Sequence, residues 1–341
     1  MNARFKELGI SDADARNTSV LIESHEAARE YGKKYKAELV IWGDVTLQGI
    51  IPNITIVKEE SDASKLMKPE TTILKDSLCH AAMAQIKDIR FPALTDEPTK
   101  LVSFLTALKY YAQGKYEKSL EYITLSIPEK SMKHIDSNII FFYRGNIYYG
   151  MGEYDKAIED YTLVIEINPK HYNAYSGRGF AYADKGEYDK AIDDFNQAIQ
   201  IRPKYDYIYF NRGDAYKKKG EYGKAIDDFN QAISLNPNFS GAYNSMSWLL
   251  ATCPDDKYRD GNKAIGFAKK ALELDTNSSQ LLDIFAAAYA EAGKFEDAIK
   301  TQQKAIKMLN EKDKAKELSE YTEHLNFYKA NKPWREKKEP K

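Results

Sequence analysis

The apolar positions between Asn138 and Phe239 repeat three times with a period of 34 residues. In the copy from Tyr172 to Tyr205, small or apolar residues recur at spacings of three and four in two separate groups. The two groups are Tyr175, Gly179 and Tyr182, and then Ala191, Phe195 and Ala198. These spacings place each group on one face of a helix and exclude the alternation of a strand. Each copy is therefore predicted to form two helices.

Two residues that break helices divide the copy. Gly186 falls between the two groups, where a residue at positive φ can end the first helix. Pro203 cannot continue the second helix and ends it. One helix pair cannot bury its own apolar faces, so the copies are expected to stack in a solenoid.

These residues resemble the tetratricopeptide repeat family. The match rests on the small residue Gly179, then Tyr182, Ala191, Phe195, Ala198 and Pro203. Gly145 and Gly213 occupy the same position as Gly179 in the neighbouring copies. The resemblance implies a right-handed α-solenoid whose first helices line a concave groove that binds protein segments.

Weaker copies flank the three clear ones, beginning at Lys100, Ser240 and Ser279. We expect a mainly α protein with about five tetratricopeptide helix pairs over residues 100–312, the terminal pairs being atypical. In residues 313–341, one apolar stripe predicts a capping helix over Ala315–Ala330. A charged, frayed tail is expected from Arg335 onward. The stripe consists of Leu318, Tyr321, Leu325 and Tyr328.

Residues 1–99 lack the repeat and are expected to form a small α+β module, either whole or truncated, with a linker before the solenoid. Helices are predicted over Ser24–Lys36 and Ile73–Ile89. Strands are predicted over Ala37–Gly43 and Asn53–Val57, with a turn at Gly49–Pro52. The stretch Gly32–Gly43 resembles the helix-to-strand step of TolB-type N-terminal domains in bacteria.

The charge balance argues against nucleic acid or anionic lipid as a partner, since 50 basic and 51 acidic residues give a net charge of −1. No apolar run has the length of a membrane span, and the first residues do not resemble a signal peptide, although an upstream segment could be missing. Cys79 and Cys253 have no metal-site spacing, which favours a reducing compartment. We therefore expect a cytoplasmic protein.

In this family, positions 2, 5, 9 and 12 of each repeat face the concave groove. Here they are largely aromatic and nearly uncharged, which favours an apolar or aromatic peptide as the ligand. The alternatives are that residues 1–99 or another copy cover the groove, or that its tyrosines reflect repeat composition alone. The predicted peptide-binding residues are Phe104, Tyr111, Phe142, Asn146, Tyr149, Phe180, Tyr207, Phe210 and Trp248.

A family variant binds the C-terminal carboxylate of chaperone tails through lysine, asparagine and arginine side chains. Asn146 and Asn211 match two of those places, but Phe142, Gly177 and Tyr207 stand where lysine, asparagine and lysine are required. Recognition of chaperone tails is therefore not expected.

Arginines and aspartates recur on the repeat period and predict a ladder of ion pairs along the stack. The alternative is an anion site built from the arginines. The ladder residues are Arg144, Arg178 and Arg212, with Asp160, Asp194 and Asp228.

No motif of an enzyme is present: the chain lacks a phosphate loop, a nucleophile elbow and a dinucleotide fingerprint. Cys79 and His80 are adjacent but have no catalytic partners. Asp255, Asp256 and Asp260 lack the spacing of a calcium loop, so no metal or cofactor is expected. The leading hypothesis is a non-enzymatic scaffold that binds a protein or peptide. The alternative is a ligand-sensing N-terminal module with the solenoid as its regulatory or oligomerising arm; the sequence does not indicate the oligomeric state.

Overall fold

The computed structural model describes residues 39–46, 49–56, 98–127, 135–275, 278–309 and 314–337. The described residues divide into two compact units, which are taken separately below. The helices predicted over Ser24–Lys36 and Ile73–Ile89 lie outside the described residues.

The first unit contains an antiparallel hairpin of β1 (Leu39–Thr46) and β2 (Gly49–Ile56). Its pairing runs from Leu39 opposite Ile56 to Thr46 opposite Gly49. The turn predicted at Gly49–Pro52 is wrong, because those residues belong to β2. Pro52 lies within β2, opposite Gly43. Each strand of a two-stranded hairpin is an edge strand, and a proline is tolerated in an edge strand.

The helices described from residue 98 onward form six successive pairs and one final helix, which is an α-solenoid. The three clear copies and the three weaker copies in the sequence account for these six pairs, which is one more than the five expected. The pairs are α1 (Pro98–Ala112) with α2 (Tyr116–Leu125), α3 (Ile135–Gly150) with α4 (Tyr154–Ile167), α5 (Tyr172–Asp184) with α6 (Tyr188–Ile201), α7 (Asp206–Lys218) with α8 (Tyr222–Leu235), α9 (Ser240–Thr252) with α10 (Gly261–Leu274), and α11 (Ser279–Glu291) with α12 (Phe295–Met308); α13 (Lys314–Lys329) follows.

The turn inside five of the six pairs depends on a left-handed glycine, and the longer turn between α9 and α10 has none. Gly186 has φ +78° and ends α5, as its position in the repeat predicted. The Glu187 amide then donates to the Tyr182 carbonyl at 2.8 Å, which satisfies one of the free carbonyls at the end of the helix. Four further glycines take the same conformation after the first helices of other pairs: Gly114, Gly152, Gly220 and Gly293.

The two helices of a pair approach closely where a glycine faces an aromatic ring. A Cβ added at Gly179 would lie 2.9 Å from Cε1 of Phe195, whose ring is buried. A Cβ added at Gly145 or Gly213 would lie equally close, at 2.9 Å, to the ring of Tyr161 or Phe229, respectively. The glycine therefore makes room for the ring of its own pair.

Arg178 forms a two-point ion pair with Asp194, from Nε and Nη2 at 2.8 Å each. Its Nη1 donates to Thr162 Oγ1 at 2.9 Å, so the guanidinium also reaches α4 of the preceding pair. Burial raises the pKa of Asp194, and the hydrogen bonds from Arg178 oppose that rise. The same group therefore links the helices of one pair and two successive pairs.

The neighbouring arginines repeat this arrangement. Arg144 donates to both carboxylate oxygens of Asp160, at 2.6 and 2.7 Å. Arg212 does so to Asp228 at 2.7 and 2.8 Å. Its Nη1 also donates to Asn196 Oδ1 at 2.7 Å, which lies in the preceding pair. The three guanidinium groups are engaged with protein groups, and an anion site would have to compete with those contacts.

The final helix α13 covers the end of the stack with the stripe seen in the sequence. Tyr321, Leu325 and Tyr328 are buried. Tyr321 packs in one apolar cluster with Ala305 and Leu309 at the end of α12. This burial is what allows α13 to serve as a cap.

The longer turn between α9 and α10 is ordered by its own polar groups. The Asp260 side chain caps α10 by accepting from the Lys263 amide at 3.0 Å, and Asp255 accepts from the Lys257 amide at 3.3 Å. Cys253 is a free, buried cysteine, and burial raises the pKa of its thiol.

Candidate functional site

Most of the side chains predicted to bind a peptide are packed inside the solenoid. Tyr111, Tyr207 and Trp248 are partly exposed. The others are at most 8% exposed: Phe104, Phe142, Asn146, Tyr149, Phe180 and Phe210. A partner docking on the surface as it stands would reach little of those six, and their role in binding stays a prediction.

The rings of Phe142 and Phe210 are each packed against a residue that precedes a first helix. Phe210 lies 5.0 Å from the ring of Phe239 and 5.8 Å from that of Phe229. Phe142 lies 5.0 Å from the ring of His171, the residue just before α5. Sequence spacing along one helix does not show this packing, because it depends on how successive pairs stack.

Several polar side chains on α3 and α5 are buried. Tyr161 Oη donates to Asn146 Oδ1 at 2.7 Å. Among the described residues, Asn146 Nδ2, Asn173 Nδ2 and Ser176 Oγ have no hydrogen-bond partner. Nearby, Tyr149 Oη donates to Asp184 Oδ2 at 2.6 Å, and burial together with this carboxylate holds the pKa of Tyr149 well above its usual range.

The C-terminal segment after α13 turns back onto the solenoid. Asn331 has φ 53° and ends α13 in a left-handed conformation. The Lys332 amide donates to the Phe327 carbonyl at 2.9 Å, and the backbone amide of Asn331 donates to the Tyr328 carbonyl at 2.9 Å. These two hydrogen bonds form a Schellman turn. Pro333 follows and cannot extend the helix. The chain therefore leaves α13 in a set direction.

Trp334 is the first residue of this segment to contact the first helices. Its ring centroid lies 5.5 Å from that of Trp248 on α9 and 4.5 Å from that of His324 on α13. Trp248 and His324 are themselves 6.0 Å apart. The three rings form one cluster that joins the segment, the capping helix and α9.

Arg335 binds the ends of α9 and α11. Its Nη1 donates to the Ala251 carbonyl at 3.2 Å, and its Nη2 pairs with Glu291 Oε2. The other oxygen of Glu291 lies 3.3 Å from Nε of Arg259, a residue of the long turn between α9 and α10. Burial lowers the pKa of the Arg335 guanidinium, while the carboxylate of Glu291 opposes that change.

Glu336 completes the contact through both backbone and side chain. Its amide donates to the Thr252 carbonyl at 3.0 Å, and its Oε1 accepts from Trp248 Nε1 at 2.5 Å. Lys217, at the end of α7, lies 3.4 Å from Asp214 Oδ1. Burial opposes the protonated form of Lys217, yet Asp214 and Glu336 raise its pKa on balance.

A buried polar cluster holds α13 where this segment begins. Asp283 Oδ1 on α11 accepts from Gln302 Nε2 at 2.6 Å and lies 2.8 Å from His324 Nδ1. Gln302 also donates to the Tyr321 carbonyl at 3.1 Å. These bonds tie α13 to α11 and α12 and thereby fix the starting point of the segment.

We call residues Trp334–Glu336 the tail segment, and we call the five residues around it the tail-binding surface; four of them contact the segment, and Lys217 acts on Glu336 through its charge. The expectation of a frayed tail is wrong for Arg335 and Glu336, which are hydrogen-bonded to that surface. A tryptophan next to a helix-ending Asn331-Lys332-Pro333 was the available signal in the sequence. The surface consists of Lys217, Trp248, Ala251, Thr252 and Glu291.

Glu291 and Arg259 were not among the predicted site residues. Glu291 lies one position beyond the groove positions considered in the sequence, and Arg259 lies in an inserted turn that no repeat position describes. Only the folded arrangement brings Arg259 to the carboxylate that binds the tail segment.

None of the described helices has the length and apolarity needed to cross a membrane. Within the same residues, no group of three or more histidine, cysteine or acidic side chains is placed to hold a metal ion.

Comparison with known families identifies tetratricopeptide repeats in this chain. The family model described as "Tetratricopeptide repeat" matches residues 139–171 and 207–239, and the one described as "TPR repeat" matches residues 181–220. These matches give no support to the TolB-type resemblance of the N-terminal residues. No curated protein matches the chain.

Solved structures of tetratricopeptide repeat proteins are similar to this fold. A tetratricopeptide repeat protein from Parabacteroides merdae is 21% identical with a TM-score of 0.52, over 73% of this chain and 98% of that one. MamA is 23% identical with a TM-score of 0.45, over 53% of this chain and 96% of that one. YrrB, a TPR protein with an unusual peptide-binding site, is 21% identical with a TM-score of 0.45, over 59% of this chain and 99% of that one.

Proposed function

We propose that this protein is a non-enzymatic scaffold that binds a peptide segment of another protein across the first helices α7, α9 and α11. The tetratricopeptide resemblance assigns these helices to the concave side of the solenoid. The proposal is supported chiefly by one observation: a non-helical segment of the chain itself is held there by ring contacts, charge and a backbone hydrogen bond.

The groups on this surface suit recognition of an extended peptide. The Thr252 and Ala251 carbonyls accept hydrogen bonds from the segment, so the backbone at the end of α9 is available to a ligand. Trp248 offers a flat ring with an N–H donor, and Glu291 offers a carboxylate that pairs with a guanidinium. Aromatic residues and arginine pairs of this kind dominate the binding energy of many interfaces.

A photo-crosslinking experiment tests the location of binding. A photoreactive amino acid replaces Asp214, beside Lys217 on α7, and in a separate variant replaces the exposed Asp227 on the second helix α8. In source cells, the Asp214 variant is expected to crosslink one protein that the Asp227 variant does not. Adding Trp248→Ala should abolish that crosslink. Equal crosslinking at both positions, or crosslinking that survives Trp248→Ala, would contradict the proposal.

We further propose a cytoplasmic location, as expected from the sequence. A free thiol at Cys253 is compatible with a reducing compartment. Fluorescence microscopy of the tagged full chain in source cells tests it, and export from the cytoplasm would contradict it.

A further inference from the structure

The tail segment presents three different chemical groups in consecutive residues, and each meets a matching group. The ring of Trp334 lies against Trp248, the guanidinium of Arg335 pairs with Glu291, and the carboxylate of Glu336 accepts from the indole of Trp248. The contacts alternate between side chains and the carbonyls at the end of α9. The segment is thus bound in the manner of a short peptide ligand.

We propose that the partner of the tail-binding surface is a protein segment carrying an aromatic residue, an arginine and an acidic residue in that order. The tail segment competes with that partner from within the same chain. This inference rests on the proposed function, since it names the chemistry of the ligand for the same surface.

The shape of the attachment favours competition over permanent closure. Trp334 follows directly on the Schellman turn at Asn331, so the segment is tethered close to its binding surface. A short tether gives a local concentration in the millimolar range, which keeps even a weak segment bound. An external segment with the same three groups and additional contacts can displace it without any change in the helices.

The geometry also defines what the surface should reject. Glu291 is already shared between Arg335 and Arg259, so an acidic residue in the place of Arg335 would leave the Arg259 pair facing a second carboxylate. The indole N–H of Trp248, which donates to Glu336 Oε1 at 2.5 Å, favours a carboxylate in the place of Glu336. A peptide with arginine and glutamate exchanged is therefore a matched control of equal composition.

A binding experiment in solution tests the inference with the full chain. The probe is a fluorescent peptide with the sequence of Asn331–Lys337, measured by fluorescence anisotropy. It is titrated with the natural chain, with the Trp334→Ala/Arg335→Ala variant, and with that variant carrying Trp248→Ala as well. The control peptide exchanges the arginine and the glutamate.

The peptide is expected to bind the Trp334→Ala/Arg335→Ala variant about tenfold or more tightly than the natural chain, because the tethered competitor is gone. The Trp248→Ala change and the control peptide should each abolish this gain. Equal affinity for the natural chain and the tail variant, or no binding to the tail variant, would overturn the inference. A chain that ends after Pro333 repeats the test if the double substitution impairs folding, with circular dichroism as the check.

Two further results separate this inference from the proposed function. If the Asp214 crosslink forms in the tail variant but excess peptide does not compete with it, the scaffold function stands and the ligand chemistry is wrong. If the crosslink at Asp214 fails in every variant while the peptide also fails to bind, both proposals fall. Sedimentation tests whether the bound segment comes from a second copy of the chain. A dimer of the natural chain that dissociates on Trp334→Ala would place the segment on that second copy and contradict internal competition.

Discussion

At the scale of single residues, the packing around a repeat position determines which side chain it can carry. Gly179 lacks a side chain because the ring of Phe195 occupies that space, and the exposed Gly266 on α10 has nothing within 4 Å of its missing Cβ. Two glycines inside helices therefore differ completely in what a methyl group would meet.

Changing Gly179 to alanine should destabilise the fold by about 1 kcal/mol, because a clash with Phe195 of about 1–3 kcal/mol outweighs the helix propensity gained. Gly266→Ala is the matched control and should stabilise the protein by about 0.5–1 kcal/mol, since it gains propensity without a clash. Urea denaturation of both variants provides the measurement. A stabilised Gly179→Ala protein would show that the ring can move away freely.

His171 makes stability depend on pH. Its Nδ1 accepts from the Ala174 amide at 3.1 Å and caps α5, so only the neutral ring can serve. Burial lowers the pKa of His171 from 6.5 to about 4. The contribution of the neutral ring is therefore complete above pH 6.5 and is lost as the pH falls toward 4.

The expected loss of unfolding free energy is at most about 3 kcal/mol over that range, and less where solvent screens the ring. His171→Asn keeps a capping acceptor that does not titrate in this range. The difference in unfolding free energy between the two proteins should therefore change with pH if the histidine contributes as proposed. Unfolding free energies measured between pH 4 and 7 decide the point. Parallel curves for the two proteins would contradict the assignment.

At the scale of helices, the arginine and aspartate pairs determine how the units are linked. Arg178 joins α5 to α6 through Asp194 and reaches α4 through Thr162. An aligned, buried pair of this kind specifies register more surely than it adds stability, because burying both charges is unfavourable.

Asp194→Ala should destabilise the protein by about 3–5 kcal/mol, since it leaves the Arg178 guanidinium without its buried partner. The double change Arg178→Met/Asp194→Leu removes both charges and should cost far less. Thr162→Val removes only the bond to the preceding pair and serves as the control for that link. Guanidinium chloride denaturation gives the free energy of unfolding of all three variants. A double variant as unstable as Asp194→Ala would show that the pair itself contributes the stability.

The same elements show how far sequence reasoning reaches. The helix pairs and the turn at Gly186 follow from spacings within one repeat, and the stripe on α13 follows from spacings within one helix; a single sequence displays both directly. The burial of Phe142 and Phe210 could not be predicted, because His171 and Phe239 enter the ring layer only when pairs stack. The contacts of the tail segment could not be predicted from the sequence either, since Glu336 binds Trp248 across 88 positions of sequence.

At the scale of the molecule, a solenoid distributes its stability through contacts between neighbours, so an added contact stabilises mainly the units that it touches. The tail segment contacts α9 and α11 and leaves α3–α6 untouched. Its influence should therefore remain local, in contrast to a substitution in the core of one compact domain.

A chain ending after Pro333 removes Trp334 and the residues beyond it while retaining the turn at Asn331 that ends α13. Hydrogen exchange followed by mass spectrometry should then show faster exchange in the last turns of α9 and α11 and unchanged exchange in α3–α6, because only the former lose a neighbour. The single change Lys332→Ala, outside the tail segment, is the control and should leave the pattern unaltered. Faster exchange throughout the solenoid would mean that the segment stabilises the whole stack cooperatively. In that case its displacement by a partner would carry a larger energetic penalty than internal competition at one surface allows.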